Sequence, residues 1–246
     1  MNTTMDILRR HRSVRAYSDR AVSDETLDDL ISAVQQSPSS INGQQTSLVV
    51  VRDADRRKRV SEIAGGQPWI AEAPVFIAVV MDFHKTALAG EKKGLQQVIH
   101  ESLEATVVGA VDAGIILGNL ITAAESLGLG IVPIGGIRYD PAAMIELLQL
   151  PPLTFPIVGM CLGYERGESH IKPRLPMASF RHDEVYNADG LQQAIKAYDE
   201  TLIAHWQKVA RGNGESWSDT IAGFYQHVYF PKVKPVLVQQ GFLNEK

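Results

Sequence analysis

The sequence predicts one domain, spanning residues 1–246, whose core is a β-sheet covered by helices. Two observations support this prediction. Short apolar runs typical of strands are interleaved with longer helical stretches, and no internal repeat or Pro/Gly/Ser-rich linker divides the chain. Interleaved strands and helices bury their apolar surfaces when the helices pack on the sheet.

The first 50 residues predict two helices and one strand. A short helix with Ile7 and Leu8 is expected to end in the basic run 9–12. A second helix is expected after Ser23, whose hydroxyl suits an N-cap, and Pro38 ends it. A polar loop over 37–44 then leads into a strand at 48–51. The apolar stripe of the second helix is Leu27, Leu30, Ile31 and Val34.

The later elements follow the same alternation. Asp53 is expected to cap a charged surface helix, and Asp140-Pro141 to open another. A central helix over about 97–127 carries small residues on several faces, which indicates that other elements approach it closely. Further strands are predicted at 75–81, 131–137 and 155–163, with helices from residue 192 onward.

Composition excludes several classes of protein. The chain has 24 basic and 28 acidic residues, a net charge of −4, which argues against broad nucleic-acid binding. Its single cysteine, Cys161, cannot form an internal disulfide, so a reducing cytoplasm is expected. The most apolar stretch, 107–129, is interrupted by Asp112, Asn119 and Glu125. We therefore expect a buried core helix and no membrane association.

Two clusters of cations are candidate anion sites. Five arginines fall within the first 20 positions, and Ser13 adds a hydroxyl donor among them. The alternative is a solvated helix end. The second cluster is Lys172-Pro173-Arg174, in which proline stiffens the chain between a point charge and a bidentate fork. An ordinary surface loop is the alternative there.

Other chemistries have little support in the sequence. The seven histidines form no His-Glu-x-x-His motif, so no metal site is predicted. No Gly-x-Ser-x-Gly elbow is present, and Cys161 lies in an apolar strand, where a core role is expected. The Gly135-Gly136 turn at a strand end would let a flat ligand approach the main chain, although many such pairs are simple turns.

Taken in order, these segments resemble the nitroreductase superfamily, in its branch of FMN-containing, NADPH-dependent flavin reductases and oxygen-insensitive nitroreductases. The resemblance covers nearly the whole chain and implies an α+β fold with a mixed central sheet, in an intertwined homodimer. It also implies a helical excursion over about 190–246. The segments are HRSVR at 11–15, SPSS at 37–40, NGQ at 42–44, GGQ at 65–67, AAESLGLG at 123–130, PIGG at 133–136 and KPRLP at 172–176.

The resemblance implies that both cation clusters bind one group, the phosphate of FMN. At matching positions, Arg12 and Ser13 would act together with Lys172 and Arg174, and His11 would lie alongside. Two clusters about 160 residues apart would thereby form one anion site.

The resemblance also assigns residues to the flavin ring. Arg15 and Gln67 would face the isoalloxazine, and Arg15 would stabilise the negative charge that a reduced flavin carries. The turn formed by Ile134, Gly135 and Gly136 would lie beside the reactive N5 edge. No catalytic residue beyond FMN is required, because the cofactor carries the redox chemistry.

The partner subunit and the nicotinamide complete the implied site. Ser39 and Ser40 would reach the flavin of the other subunit. Arg211, with Lys208 as a helper, would bind the 2′-phosphate of NADPH. The loop around Arg211 is short for this branch and carries Glu215 where further cations are expected, so NADH is a possible reductant.

The implied reaction is ping-pong transfer of a hydride from NADPH through flavin N5 to a small-molecule acceptor: free flavin, a nitroaromatic or a quinone. Two alternatives remain open. One is a non-enzymatic FMN-binding sensor or carrier on the same fold. The other is a phosphate- or nucleic-acid-binding module that uses the arginine cluster, which the acidic composition disfavours.

Overall fold

The computed structural model describes residues 3–246, which divide into two compact units. Residues 3–169 and 230–246 form the first unit, and residues 170–229 form the second. The expectation of one domain over 1–246 with an excursion over about 190–246 stays a prediction. Each unit is described by itself below.

The first unit is built on a four-stranded antiparallel sheet in the order β1-β2-β4-β3. The predicted α+β class is confirmed. Within residues 3–246, the parallel part of the expected mixed sheet is one isolated bridge, between Ser13 and Ile131. The strands are β1 (Thr46–Val51), β2 (Val75–Asp82), β3 (Gly130–Ile134) and β4 (Thr154–Gly163).

Helices cover both faces of this sheet. On β2, Phe76, Ala78 and Val80 face one apolar cluster, and the alternate residues Ile77 and Val79 face the other. Because both faces are buried, β2 reads as a continuous apolar run. The helices of this unit are α1 (Thr3–Arg9), α2 (Asp24–Gln35), α3 (Ala54–Ile63), α4 (Pro68–Glu72), α5 (His84–Glu91), α6 (Leu103–Ser126), α7 (Pro141–Leu148) and α10 (Val233–Gln239).

The predicted caps are confirmed. The Ser23 hydroxyl accepts from the Thr26 amide at 3.1 Å, and an Asp53 carboxylate oxygen accepts from the Arg56 amide at 2.8 Å. Asp140 caps α7 in the same way, with Pro141 at its first position. These caps satisfy amides that have no partner within their own helix.

Two predicted elements are wrong in extent. The strand expected over 131–137 ends at Ile134, because the chain turns there into a 3₁₀ segment, Gly135–Arg138. The central helix begins at Leu103, not near residue 97, since a 3₁₀ turn, Ile99–Glu101, precedes it.

Helix α6 is less buried than the sequence predicts. Leu103, Val107 and Val111 are each about half exposed, at 57%, 48% and 55%, and follow one another at intervals of four residues. By length and composition alone, α6 could cross a membrane. Its polar residues instead bond to protein groups: the Asn119 amide, for example, donates to the Ser37 hydroxyl at 2.7 Å.

Cys161 on β4 is fully buried in the core, as predicted. It pairs in register with Phe76 on one side and Val132 on the other. Burial strongly raises the pKa of its thiol, because the charged thiolate would lose its hydration. The side chain is therefore a small core residue without nucleophilic character.

The second unit is helical. Helices α8 (Leu191–Lys208) and α9 (Trp217–Tyr225) pack around a small buried cluster of Tyr198, Leu202 and Trp206. Two of its three buried side chains are aromatic, so this short segment forms an apolar core from few residues.

Candidate functional site

The N-terminal segment 11–17 lies alongside the sheet. The Val14 amide donates to the carbonyl oxygen of Ile131 at 2.8 Å, and Tyr17 forms a bridge with Glu165 just after β4. These bonds fix the segment that carries the predicted phosphate ligands. It lies beside the start of β3 and the residues that follow β4.

Two residues of this segment already face carboxylates. His11 Nδ1 lies 2.8 Å from Glu125 Oε1, and the Arg12 guanidinium forms an ion pair with Glu165 Oε2. The other carboxylate oxygen of Glu165 is buried without a hydrogen-bond partner in the described part of the chain. A phosphate at Arg12 would share the guanidinium with Glu165, because the guanidinium has further N–H donors that could bond to the phosphate.

In the first unit, Gln67, predicted to face the ring, contacts Gly136 of the predicted turn, and Arg15 lies over Trp69, two residues beyond Gln67. The Arg15 guanidinium lies 5.4 Å from the ring centroid of Trp69, in α4, and Gln67 immediately precedes this helix. Gln67 Nε2 donates to the Ala64 carbonyl at 2.8 Å. A Cβ at Gly136 would lie 2.5 Å from Gln67 Nε2 and 2.6 Å from the Ala64 oxygen, so only glycine fits there.

The other two residues of the predicted turn have different roles. The side chain of Ile134 is 1% exposed and points into the core. Only the main chain of Ile134 is therefore available to contact a ligand. A Cβ at Gly135 would lie 3.4 Å from an Arg138 nitrogen. Arg138 in turn donates to the Ile157 carbonyl, which ties the turn to β4.

The loop with Ser39 and Ser40 has an unusual backbone. Ile41, Asn42 and Gln44 have positive φ values of 49°, 55° and 50°, a conformation that costs energy for residues with a Cβ. The Ser39 hydroxyl accepts from the Gln44 amide at 3.0 Å. The loop is therefore held in a defined shape by its own contacts and by those of Asp112.

Asp112 is a residue that sequence reasoning missed. It is 2% exposed, and its carboxylate accepts from Gln45 Nε2 at 2.6 Å and from the Ser40 amide at 3.3 Å. A carboxylate buried in this way needs such donors to offset its lost hydration. The available signal was an Asp in the middle of an apolar helix, which we interpreted only as an interruption of a membrane span.

A cavity of about 320 Å³ opens beside this loop. Lys85 contributes a cation to its lining, and its Nζ donates to the Thr46 carbonyl at 2.8 Å. Its polar lining includes Ser37, Ser39, Gln44, Ser47, Lys85 and Asp112. The cavity places predicted residue Ser39 at an accessible surface of the first unit.

In the second unit, three predicted cations line one cavity of about 680 Å³: Lys172, Arg174 and Arg211. Lys172 Nζ lies 5.3 Å from the ring centroid of Trp206, and the Arg211 guanidinium lies 4.8 Å from it. Lys208 ends α8, outside this lining. The expected union of Lys172 and Arg174 with Arg12 and Ser13 stays a prediction.

Tyr198 anchors the segment that carries two of these cations. Its hydroxyl donates to the carbonyl oxygen of Pro173, between Lys172 and Arg174, at 2.8 Å. Burial raises the pKa of Tyr198, while nearby Arg174 opposes the rise. The phenol thus stays protonated and keeps its hydrogen bond.

The chemistry of these donors fits FMN. Arg12 and Ser13 supply a guanidinium fork and a hydroxyl suited to a phosphate, and Arg15 supplies a cation suited to an electron-rich ring edge. The indole N–H of Trp69, beside Arg15, is buried without a partner within residues 3–246, so an acceptor there would satisfy it.

Comparison with known proteins identifies the family of the chain. The model of the nitroreductase family matches residues 8–164, and that of the nitroreductase family C-terminal domain matches residues 172–245. An FMN reductase [NAD(P)H] of Bacillus subtilis is 47% identical, with both chains covered in full. An FMN reductase (NADPH) of the same organism is 32% identical over 100% of this chain and 98% of its own.

The fold comparison gives the same result. The solved structure of NfrA2 from B. megaterium superposes with a TM-score of 0.97 at 44% identity, with all of both chains covered. Two consecutive family models together span most of the chain. The chain belongs to the nitroreductase family.

Proposed function

We propose that the protein is an FMN-dependent NAD(P)H oxidoreductase that reduces small acceptors such as free flavin, nitroaromatics or quinones. The observation that carries the proposal is the contact of Gln67 with Gly136 in the first unit, at the turn expected beside the flavin, with Arg15 over Trp69 two residues beyond Gln67. The relatives described above, named as FMN reductases, support it.

FMN supplies the two-electron chemistry when it is bound. Arg12 and Ser13 would bind its phosphate, with His11 alongside and Lys172 and Arg174 from the second unit. Arg15 and Gln67 would face the ring. Arg15 would stabilise negative charge there, since its own charge is permanent at neutral pH. Ile134, Gly135 and Gly136 would let the ring lie close to the main chain.

Either nicotinamide cofactor is a reasonable reductant. Arg211 is exposed and lines the cavity of the second unit, where it would bind the 2′-phosphate of NADPH, with Lys208 nearby on α8. Glu215 lines the same cavity and places a negative charge near that phosphate. The 47%-identical relative is named for NAD(P)H, which supports use of both.

A homodimer is part of the proposal. The exposed stripe of Leu103, Val107 and Val111 on α6 is an apolar surface that a second copy would cover. Ile41, in the loop with Ser39 and Ser40, is 97% exposed, as expected of a loop that reaches a partner. With one buried cysteine and no disulfide, the enzyme suits the cytoplasm.

The sensor or carrier alternative is not supported, because these relatives are named as reductases. The deciding experiment is the visible spectrum of the purified protein before and after anaerobic NADPH. We expect a yellow protein that bleaches within seconds. A colourless protein that cannot be reconstituted with FMN would refute the assignment. A yellow protein that neither NADPH nor NADH bleaches would instead favour a non-enzymatic FMN-binding sensor or carrier.

The dimer has a separate test. Sedimentation should give twice the mass of one chain, and substitution of Val107 by Glu on the α6 stripe should shift the protein toward the monomer and release FMN. A monomer with full FMN occupancy would contradict the shared site.

A further inference from the structure

In the second unit, two cations with different expected ligands contact the same indole. Lys172, expected at the FMN phosphate, lies 5.3 Å from the ring centroid of Trp206. Arg211, expected at the NADPH phosphate, lies 4.8 Å from it. A cation over an aromatic face is attracted by the ring quadrupole, and the indole of tryptophan gives the strongest such attraction.

The loop that carries Arg211 also closes on Trp206. The Arg211 amide donates to the Trp206 carbonyl at 2.8 Å, and the Gly214 amide donates to the Arg211 carbonyl at 3.0 Å. Further along, the indole N–H of Trp206 donates to the Glu215 carbonyl at 3.0 Å. Both ends of the loop are therefore bonded to one residue.

Gly214 packs directly against this ring. A Cβ added there would overlap the indole carbons, so only glycine lets the loop approach so closely. Trp206 itself is 7% exposed and packs with Tyr198 and Leu202. The small core of Tyr198 and Leu202 therefore fixes the indole, and the loop that carries Arg211, which has no regular secondary structure, also packs against it.

We infer that Trp206 is a positioning residue that sets the preference for NADPH over NADH and strengthens FMN binding, by holding Arg211 and Lys172 on one ring. This inference rests on the proposed function. A loop released from the indole would leave Arg211 free to sample many positions, and this lost preorganisation would weaken binding of the 2′-phosphate. Because NADH lacks that phosphate, its use should change little.

Trp206→Leu removes the ring, and Trp206→Phe keeps an aromatic face but loses the N–H donor. We expect Trp206→Leu to lower the kcat/KM ratio of NADPH to NADH about tenfold, through KM, and to weaken FMN binding several-fold. Trp206→Phe should fall between Trp206→Leu and the wild type. A second readout is the affinity of the holoprotein for 2′,5′-ADP relative to 5′-AMP, measured by calorimetry. This ratio of affinities should fall together with the kcat/KM ratio of NADPH to NADH.

Trp217→Phe is the matched control. Trp217 belongs to the same cluster and packs edge-on against Tyr198, with ring centroids 6.2 Å apart. If the role of Trp206 were only to support the core, both tryptophan-to-phenylalanine variants would change the melting temperature alone. An unchanged NADPH-to-NADH ratio in Trp206→Phe and Trp206→Leu, or an equal change in Trp217→Phe, would overturn the inference. Failure of the proposed function is distinct, since the wild type would then oxidise neither nucleotide.

Discussion

The two units hold their expected ligand-binding residues by different means. In the first unit, carboxylates hold most of them: Glu165 pairs with Arg12, Glu125 contacts His11, and Asp112 bonds to the loop at Ser40, while Arg15 lies over the ring of Trp69. In the second unit, an aromatic ring carries Lys172 and Arg211. A carboxylate fixes a cation but neutralises part of its charge, whereas an indole fixes a cation and leaves its net charge intact.

This difference suits two kinds of ligand. A tightly bound cofactor tolerates a site in which charges are already paired, because it can rearrange those pairs once, on binding. A nicotinamide must arrive and leave in every cycle, and an arginine that keeps its full charge on an indole, as Arg211 does, can steer its approach even with Glu215 in the same cavity. Four substitutions test the comparison.

The largest effect should come from Arg12→Ala. It would remove the proposed charge-assisted bond to the FMN phosphate and leave Glu165 without its cation. We expect the Kd for FMN to rise about 30- to 100-fold, or about 2–3 kcal/mol, in a fluorescence titration of apoprotein. Arg9→Ala is the control, because Arg9 is exposed and pairs with Asp6 of its own helix at 3.8 Å. Equal losses in both variants would remove the specific role of Arg12.

Asp112→Ala should act on the shape of the Ser39–Ser40 loop. The buried Gln45 amide would lose its acceptor, at a cost of about 2 kcal/mol. We expect a fall in melting temperature of about 4–8 °C, together with faster FMN release. Asp112→Asn keeps one oxygen acceptor and should lose less. Normal FMN retention in a destabilised Asp112→Ala protein would show that the loop does not reach the flavin.

Arg211→Ala should raise KM for NADPH about tenfold, while KM for NADH stays nearly constant, since a phosphate contact made by an exposed arginine is worth about 1.4 kcal/mol. Arg181→Ala is the control in the same unit: Arg181 is exposed and pairs with Asp183 at 2.9 Å. Equal effects of Arg211→Ala on both nucleotides would remove this role.

The smallest effect concerns a carboxylate in the second unit. The pKa of Asp199 is lowered, first by the hydrogen bond from the Ser218 hydroxyl, and burial opposes this shift. A pKa below the unfolded value, about 3.9, means that the ionised form stabilises the fold above that pH. This stabilisation is lost as the pH falls through the lower folded pKa.

The Asp199→Asn variant should therefore have a slightly lower melting temperature than the wild type at pH 7. This difference in melting temperature should shrink toward pH 2. Scanning calorimetry across this range measures it. A gap that stays constant with pH would mean that the charge of Asp199 is irrelevant and that only its hydrogen bonds count.

Local features of the fold were predictable from sequence, and long-range contacts were not. Ser23, Asp53 and Asp140 cap helices within three residues of themselves, so the pattern around each suffices. Asp112 and Trp206 depend on groups that the sequence does not place near them. The bond from Gln45 to Asp112 joins residues 67 positions apart, and the Trp206 contacts need a loop closed by tertiary packing.

The candidate site divides in the same way. The motifs predicted that Arg15, Gln67 and Gly136 share a function, and the structure places Gln67 against Gly136 and Arg15 over Trp69, two residues beyond Gln67. The motifs did not predict that Arg12 carries an internal counter-ion, because Glu165 lies just past the end of β4, outside any segment that resembled the family. The helix α5 was also missed, since none of its residues is buried and it lacks an apolar stripe.

The burial of Cys161 makes the wild-type chain a convenient background for spectroscopy. Its thiol is both enclosed by the sheet and held in the unreactive protonated form, so maleimide dyes should leave the native protein unlabelled. One cysteine introduced at an exposed position, such as Asn213 in the loop over Trp206, would then carry the whole label. Such a probe would report opening and closing of that loop in real time, without first removing a native residue.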